Sequence, residues 1–124
     1  MKTIPTLLLL LGLTAPLSAQ VYVGDTDINQ LDYVEYLQID FHGDWTTPFV
    51  VIADYGQPPC TNRQRALCRL CDEHGNERRF FSKMEVFNFL DAQGWEHRET
   101  YQTMYLDHLD DVHLFRRKPS AGDR

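Results

Sequence analysis

Ser82-Lys83-Met84-Glu85-Val86-Phe87-Asn88-Phe89-Leu90-Asp91-Ala92-Gln93-Gly94 is the segment on which the fold turns. A Ser hydroxyl accepts a hydrogen bond from the amide three residues on, and a Glu at that third position reaches back toward the Ser amide. Two donors that a helix start leaves bare are thereby satisfied, so a helix is expected from Ser82. At 100° per residue, Val86, Phe87, Phe89 and Leu90 fall within about 160° of one another, with Glu85, Asn88 and Ala92 opposite. That is the stripe of a helix lying on a sheet. Gly94 stops it in the left-handed cap position that a side chain resists.

The flanks read as strands. After the cap, Trp95, His97, Glu99 and Tyr101 alternate with Glu96, Arg98, Thr100 and Gln102, and Val112 to Arg117 forms a last strand ahead of Pro119. Before the helix, Gly75-Asn76 between Ala66–Asp72 and Glu77–Phe81 suits a tight hairpin. Pro48 to Tyr55 holds Phe49, Val50, Val51, Ile52 and Ala53 in succession, apolar on both faces, which predicts a central strand. Tyr33 to Phe41 has the period of a half-buried strand. Gly56 to Arg65 is an exposed connection, and Gln20 to Asp32 is an edge strand or a loosely docked arm. The expectation is an α+β fold, a single antiparallel sheet of about five or six strands with one helix packed on one face. A helix of about eleven residues is about 16 Å long and covers only part of such a sheet. The other face is either wet or docks a partner.

With 124 residues the chain builds one domain, and multi-domain enzymes are excluded. Residues 1–19 carry one Lys, the apolar run Leu7 to Leu13, then the small residues Ser18 and Ala19. This order predicts a signal peptide cleaved near Ala19, a single domain over 20–118, a disordered tail over 119–124, and a periplasmic or secreted protein. The run is too short and too broken by Pro5 and Pro16 to span a membrane. A net charge of −6, with Arg78-Arg79 and Arg116-Arg117-Lys118 as the only basic runs, argues against nucleic acid.

Cys60, Cys68 and Cys71 with His74 place four ligand types of a tetrahedral Zn²⁺ within fifteen residues. Against zinc, Cys68 and Cys71 lie three apart on a predicted strand and point to opposite faces. In an oxidising compartment, one disulfide from Cys60 to Cys68 or Cys71, leaving a buried thiol, is the favoured outcome. Asp107-His108-Leu109-Asp110-Asp111-Val112-His113 concentrates three carboxylates and two imidazoles, but lacks the spacing of a Ca²⁺ loop; its charges read as a solvated connection between two strands, with His113 alternating with Leu114 on the last strand. Asp40, Asp44 and Asp54 with His42 offer carboxylates at one sheet end, although turn Asp residues usually cap backbone amides. Ser occurs only at 18, 82 and 120, so a Ser nucleophile is nearly excluded. Of Tyr33, Tyr36, Trp45, Tyr55, Trp95 and Tyr101, Trp95 belongs to the core by its place after the cap. Trp45, in a turn-like segment, and Tyr55 are the aromatic candidates for contact with a partner.

Val86-Phe87-Asn88-Phe89-Leu90, then Gly94-Trp95-Glu96, then Leu114-Phe115-Arg116-Arg117-Lys118 resembles small exported bacterial domains of unknown function that carry an "LN-x-L…GWE…(F/L)-x-R" signature. The resemblance spans about the last third of the chain, with Phe87 where Leu is more usual. It implies a small α+β fold and carries no activity, cofactor or catalytic residue with it.

These readings converge on an exported binding or interaction module without catalysis, with no cofactor, meeting a protein, peptide or glycan. The alternative is a zinc protein, structural or hydrolytic, using Cys60, Cys68, Cys71 and His74.

Overall fold

The structure is a computed structural model, and it describes residues 18–41, 48–60 and 65–119. Residues 1–17 of the expected leader, the segment 42–47 with His42, Asp44 and Trp45, and residues 120–124 lie outside the described residues.

The helix forms as the sequence dictates. α1 spans Lys83–Ala92; the Ser82 hydroxyl accepts from the Glu85 amide at 3.1 Å, and the Glu85 carboxylate accepts from the Phe81 amide at 2.8 Å. The reciprocal bond therefore lands one residue ahead of the Ser, and still occupies an otherwise bare donor. Val86 and Leu90 are fully buried, with Phe87 and Phe89 packed against the core.

The strands are β1 (Tyr22–Val23), β2 (Thr26–Asp27), β3 (Tyr36–Asp40), β4 (Ile52–Asp54), β5 (Leu70–Cys71), β6 (Trp95–Tyr105) and β7 (His108–Arg117). Among the described residues they form two antiparallel sheets, β2-β1-β5 and β4-β3-β7-β6, instead of the single sheet expected. The fold is α+β. One core joins both sheets and the helix: Val21, Val23 and Ile28 from the N-terminal arm, Leu37, Ile39, Val51, Ala53, Leu70, Trp95 and Phe115.

Four local expectations are corrected. The Pro48–Tyr55 stretch gives a three-residue edge strand, not a central one. Its outer edge meets the other sheet at a single bridge, where Ile52 pairs with Arg69 and the Leu70 amide donates to the Val51 carbonyl at 3.0 Å. Residues Arg65–Cys68 form a 3-10 turn instead of the start of a strand. The Cys60–Cys68 disulfide ties its last residue back, and Gly24 lies close against it, its amide donating to the Arg69 carbonyl at 2.9 Å. A Cβ on Gly24 would come within 2.7 Å of the Leu67 Cα, and its φ of +61° already suits only glycine. Glu77–Phe81 makes only single bridges, Cys71 to Glu77 and Phe49 to Phe80.

For the N-terminal segment the edge-strand alternative holds, since β2 is an edge of the three-stranded sheet, and the loosely docked arm is the fourth correction: the segment is clamped. The Arg117 guanidinium donates to the carbonyls of Val34 (3.0 Å), Asn29 (3.1 Å), Ile28 (2.9 Å) and Leu31 (3.0 Å), and lies 5.1 Å above the Trp95 ring. The indole N–H of Trp95 donates to the Asn29 side-chain oxygen at 2.7 Å. A planar fork of five donors meets carbonyls in and just after the short 3-10 turn Ile28–Gln30, adding a second hydrogen bond to the Ile28 and Leu31 carbonyls, which already accept from the Leu31 and Val34 amides.

Candidate functional site

The charge cluster read as a solvated connection ahead of Val112 is instead the turn and the start of β7 in a long hairpin. β6 and β7 pair from Trp95↔Arg117 to Tyr105↔His108, joined by the two residues Leu106 and Asp107, with an irregularity between His97 and Glu99. β3 pairs with β7 as far as Asp40↔Val112, so among the described residues the hairpin continues beyond the four-stranded body as a two-stranded ribbon. Met104 faces Leu109 across this ribbon, exposed by 70% and 62%, and Leu106 at the tip is exposed by 79%. Exposed apolar side chains are common singly; a cross-strand pair with a third at the tip is a patch.

Leu106 has a φ of +52°, the single non-glycine residue in the left-handed region among the described residues. A two-residue hairpin turn with positive φ at its first central position normally places glycine there. A leucine costs about 1 kcal/mol in that conformation, and at 79% exposure it regains little by packing.

The base of the hairpin is fixed by a buried imidazole. His113 is 6% exposed, its Nδ1 lies 2.7 Å from the Thr100 hydroxyl, and that hydroxyl lies 2.9 Å from His97 Nε2. Phe41 and Phe87 each present an edge-on contact at 5.1 Å. Nε2 of His113 is buried with no hydrogen-bond partner among the described residues. Burial, then the positive charge of Lys83 and the neighbouring His97, hold its pKa below the ordinary histidine range, against a smaller opposing pull from Asp111. The ring is neutral at pH 7, and the hydroxyl donates to one imidazole while accepting from the other.

On the sheet face away from the helix, Tyr101 donates from its hydroxyl to the Gln38 side-chain oxygen at 2.8 Å, and the Arg116 guanidinium lies over the Tyr36 ring at 5.6 Å. This face is tiled by paired polar and aromatic side chains.

The residues singled out in the sequence are dispersed. Trp45 lies outside the described residues. Tyr55 is half-buried against the core and lines a hollow of about 240 Å³ with Pro58, Pro59, Cys60 and Leu67. Asp54 caps the Gly56 amide at 2.8 Å and shares a second hollow, of about 250 Å³, with Asp40, Gln38 and Gln57. Cys60 and Cys68 form a disulfide with Cα atoms 6.0 Å apart, and Cys71 is a free, buried thiol whose pKa burial pushes up. His74 is exposed on the turn that the Asp72 carboxylate organises by accepting from the His74 and Asn76 amides, both at 2.9 Å. With two of its three sulfurs joined, the Cys60, Cys68, Cys71, His74 set offers one thiol and one distant imidazole. Among the described residues no three His, Cys, Asp or Glu side chains are grouped to hold a metal ion.

The hairpin tip escaped sequence reasoning because its charges mask its period. Asp107, Asp110 and Asp111 cluster as a loop would, whereas Met104, Leu106 and Leu109 are too far apart in sequence to look like a patch. The available signal was the run of alternation from Trp95 to Tyr105, too long for a strand confined to a small body. No helix among the described residues is long and apolar enough to cross a membrane. No family model, curated protein or solved structure matches the chain.

Proposed function

We propose that the protein is an exported binding module without catalysis, and that the β6–β7 ribbon is the surface with which it holds a partner polypeptide. The carrying observation is Leu106: a large apolar side chain, 79% exposed, at a φ of +52°. Both properties work against the stability of the free protein, and a residue that breaks a local rule without structural gain marks a functional position. Met104 and Leu109 extend the same patch. The Cys60–Cys68 disulfide and the leader-like first nineteen residues support export.

The test separates stability from function. Leu106→Gly relieves the backbone strain and removes the side chain, so it is expected to hold or raise Tm, by about 4–8 °C for about 1 kcal/mol, while weakening partner capture. A photo-crosslinking amino acid at Thr103, read in the compartment that receives the protein, is expected to trap a discrete polypeptide. That product should vanish when Leu106→Gly and Leu109→Ser are combined. A crosslink that persists in the folded double variant refutes the reading.

A further inference from the structure

We infer that β6 takes its partner as an added strand, and that the partner is an extended segment alternating Lys or Arg with apolar residues. This rests on the ribbon being the interaction surface and adds how, and to what chemistry, it binds. β6 is the last strand of its sheet, so its outer edge is unpaired among the described residues over Trp95–Tyr105, eleven residues. Edge strands of that length are normally shortened, bent or blocked, since they template pairing with another chain.

The register says which backbone groups are offered. A two-residue turn makes Tyr105↔His108 a hydrogen-bonded pair, and such pairs alternate along an antiparallel ladder. Thr103 and Tyr101 therefore spend their amide and carbonyl on β7, whereas Met104, Gln102 and Thr100 turn theirs outward. The irregularity between His97 and Glu99 ends the regular edge just before Thr100. Three N–H and C=O pairs at alternate positions fit an added strand of five or six residues.

The side chains beside that edge fix the chemistry. Pairing places Glu99, Tyr101, Thr103 and Asp110 on one face of the ribbon, and Thr100, Gln102, Met104, Leu109 and Asp111 on the other. From Glu99 to Phe115 the exposed carboxylates are Glu99, Asp107 and Asp111, and the stretch has no Lys or Arg. A strand laid along β6 thus lies beside Tyr101 and Thr103 on one face and beside Thr100, Gln102 and Met104 on the other, with Leu109 one strand farther, in an acidic field set by Glu99, Asp107 and Asp111. Charge complementarity selects alternating basic and apolar residues, and opposes a second acidic copy of this chain.

The probe is an eight-residue alternating Lys–Val peptide, capped at both ends and labelled with a fluorophore, titrated into the full chain at low salt. Anisotropy is expected to saturate, with the Glu–Val counterpart at least tenfold weaker. A Lys–Val peptide N-methylated at alternate residues, which keeps the charge and loses one pairing edge, is also expected to be at least tenfold weaker. Equal binding of the methylated peptide, or none of the unmodified one, overturns strand addition. In the protein, Gln102→Pro removes an outward amide, a substitution edge strands tolerate, and is expected to abolish peptide binding with unchanged circular dichroism. If Gln102→Pro retains binding while Leu106→Gly with Leu109→Ser loses it, strand addition falls and the patch reading stands. If the proline variant loses binding and the tip variant keeps it, the edge stands and the patch reading falls. Sedimentation that shows a dimer dissociated by Gln102→Pro assigns the edge to a second copy and overturns the basic partner.

Discussion

Replacing Arg117 tests the claim that the N-terminal arm is held by one side chain. Its guanidinium donates to four carbonyls between 2.9 and 3.1 Å, on Ile28, Asn29, Leu31 and Val34. A hydrogen bond to a charged donor contributes about 1.5–3 kcal/mol. Arg117 is only half-buried, however, so water replaces part of what is lost. Discounting for that, Arg117→Met is expected to cost about 3 kcal/mol, a large fraction of the stability of a domain this size. Arg117→Lys keeps the charge but offers a point donor in place of a fork, and should recover no more than about a third of the loss. Urea unfolding measures both, with a lower midpoint at unchanged slope. Amide exchange at Ile28 and Leu31, whose N–H groups bond to Val21 and Ile28 carbonyls, should accelerate first as the arm opens. A Lys variant within about 0.5 kcal/mol of wild type, the scatter of ordinary surface changes, refutes the clamp.

Stability should fall as pH drops below the ordinary imidazole range. The His113 pKa is depressed in the fold, so the unfolded chain binds more protons between the folded and unfolded values, and ΔG declines as pH falls through that window. In His113→Gln the decline should shrink, as read by Tm against pH from 7 to 5; an unchanged slope contradicts the buried neutral imidazole. Gly24→Ala should cost about 2–4 kcal/mol, because the new Cβ meets Leu67 backbone at 2.7 Å and φ stays positive; a denaturant midpoint equal to wild type would show the contact relaxes. Thiol titration of the oxidised protein should find one reactive sulfur per chain only after unfolding, since Cys71 is buried and its thiol is held protonated. Rapid labelling of the native protein refutes that burial.

What could be read in advance was whatever is settled within a few residues. The Ser82 cap, the α1 stripe and the Gly94 stop are local chemistry, and α1 formed at those boundaries. The odd positions of β3, Leu37 and Ile39, are buried as period-two reasoning requires. The failures are long-range. Nothing near Gln20 to Asp32 reveals that Arg117, nearly ninety residues on, supplies the donors that dock it. The 69–71 segment bridges the outer edge of 48–55 at one point without making it a paired strand, and composition cannot distinguish that from a central strand. The ribbon was missed for a related reason: a strand read by hydrophobic alternation is invisible where it leaves the core, and β7 from His108 to Asp111 has left it.

That last failure bears on function. Within the body of the fold the chain obeys local rules closely: glycine occupies Gly24, Gly56, Gly75 and Gly94, where φ is positive. The same sequence then places leucine at the remaining positive-φ position, in the most exposed part of the longest hairpin. A chain that uses glycine at four such turns pays a strain at the fifth that folding does not require. Met104 and Leu109, facing each other in water beside it, point the same way: an isolated two-stranded ribbon is marginal without a third strand or a packing surface. On the proposed reading the ribbon is half of an interface, and the third strand that it lacks among the described residues comes from the partner.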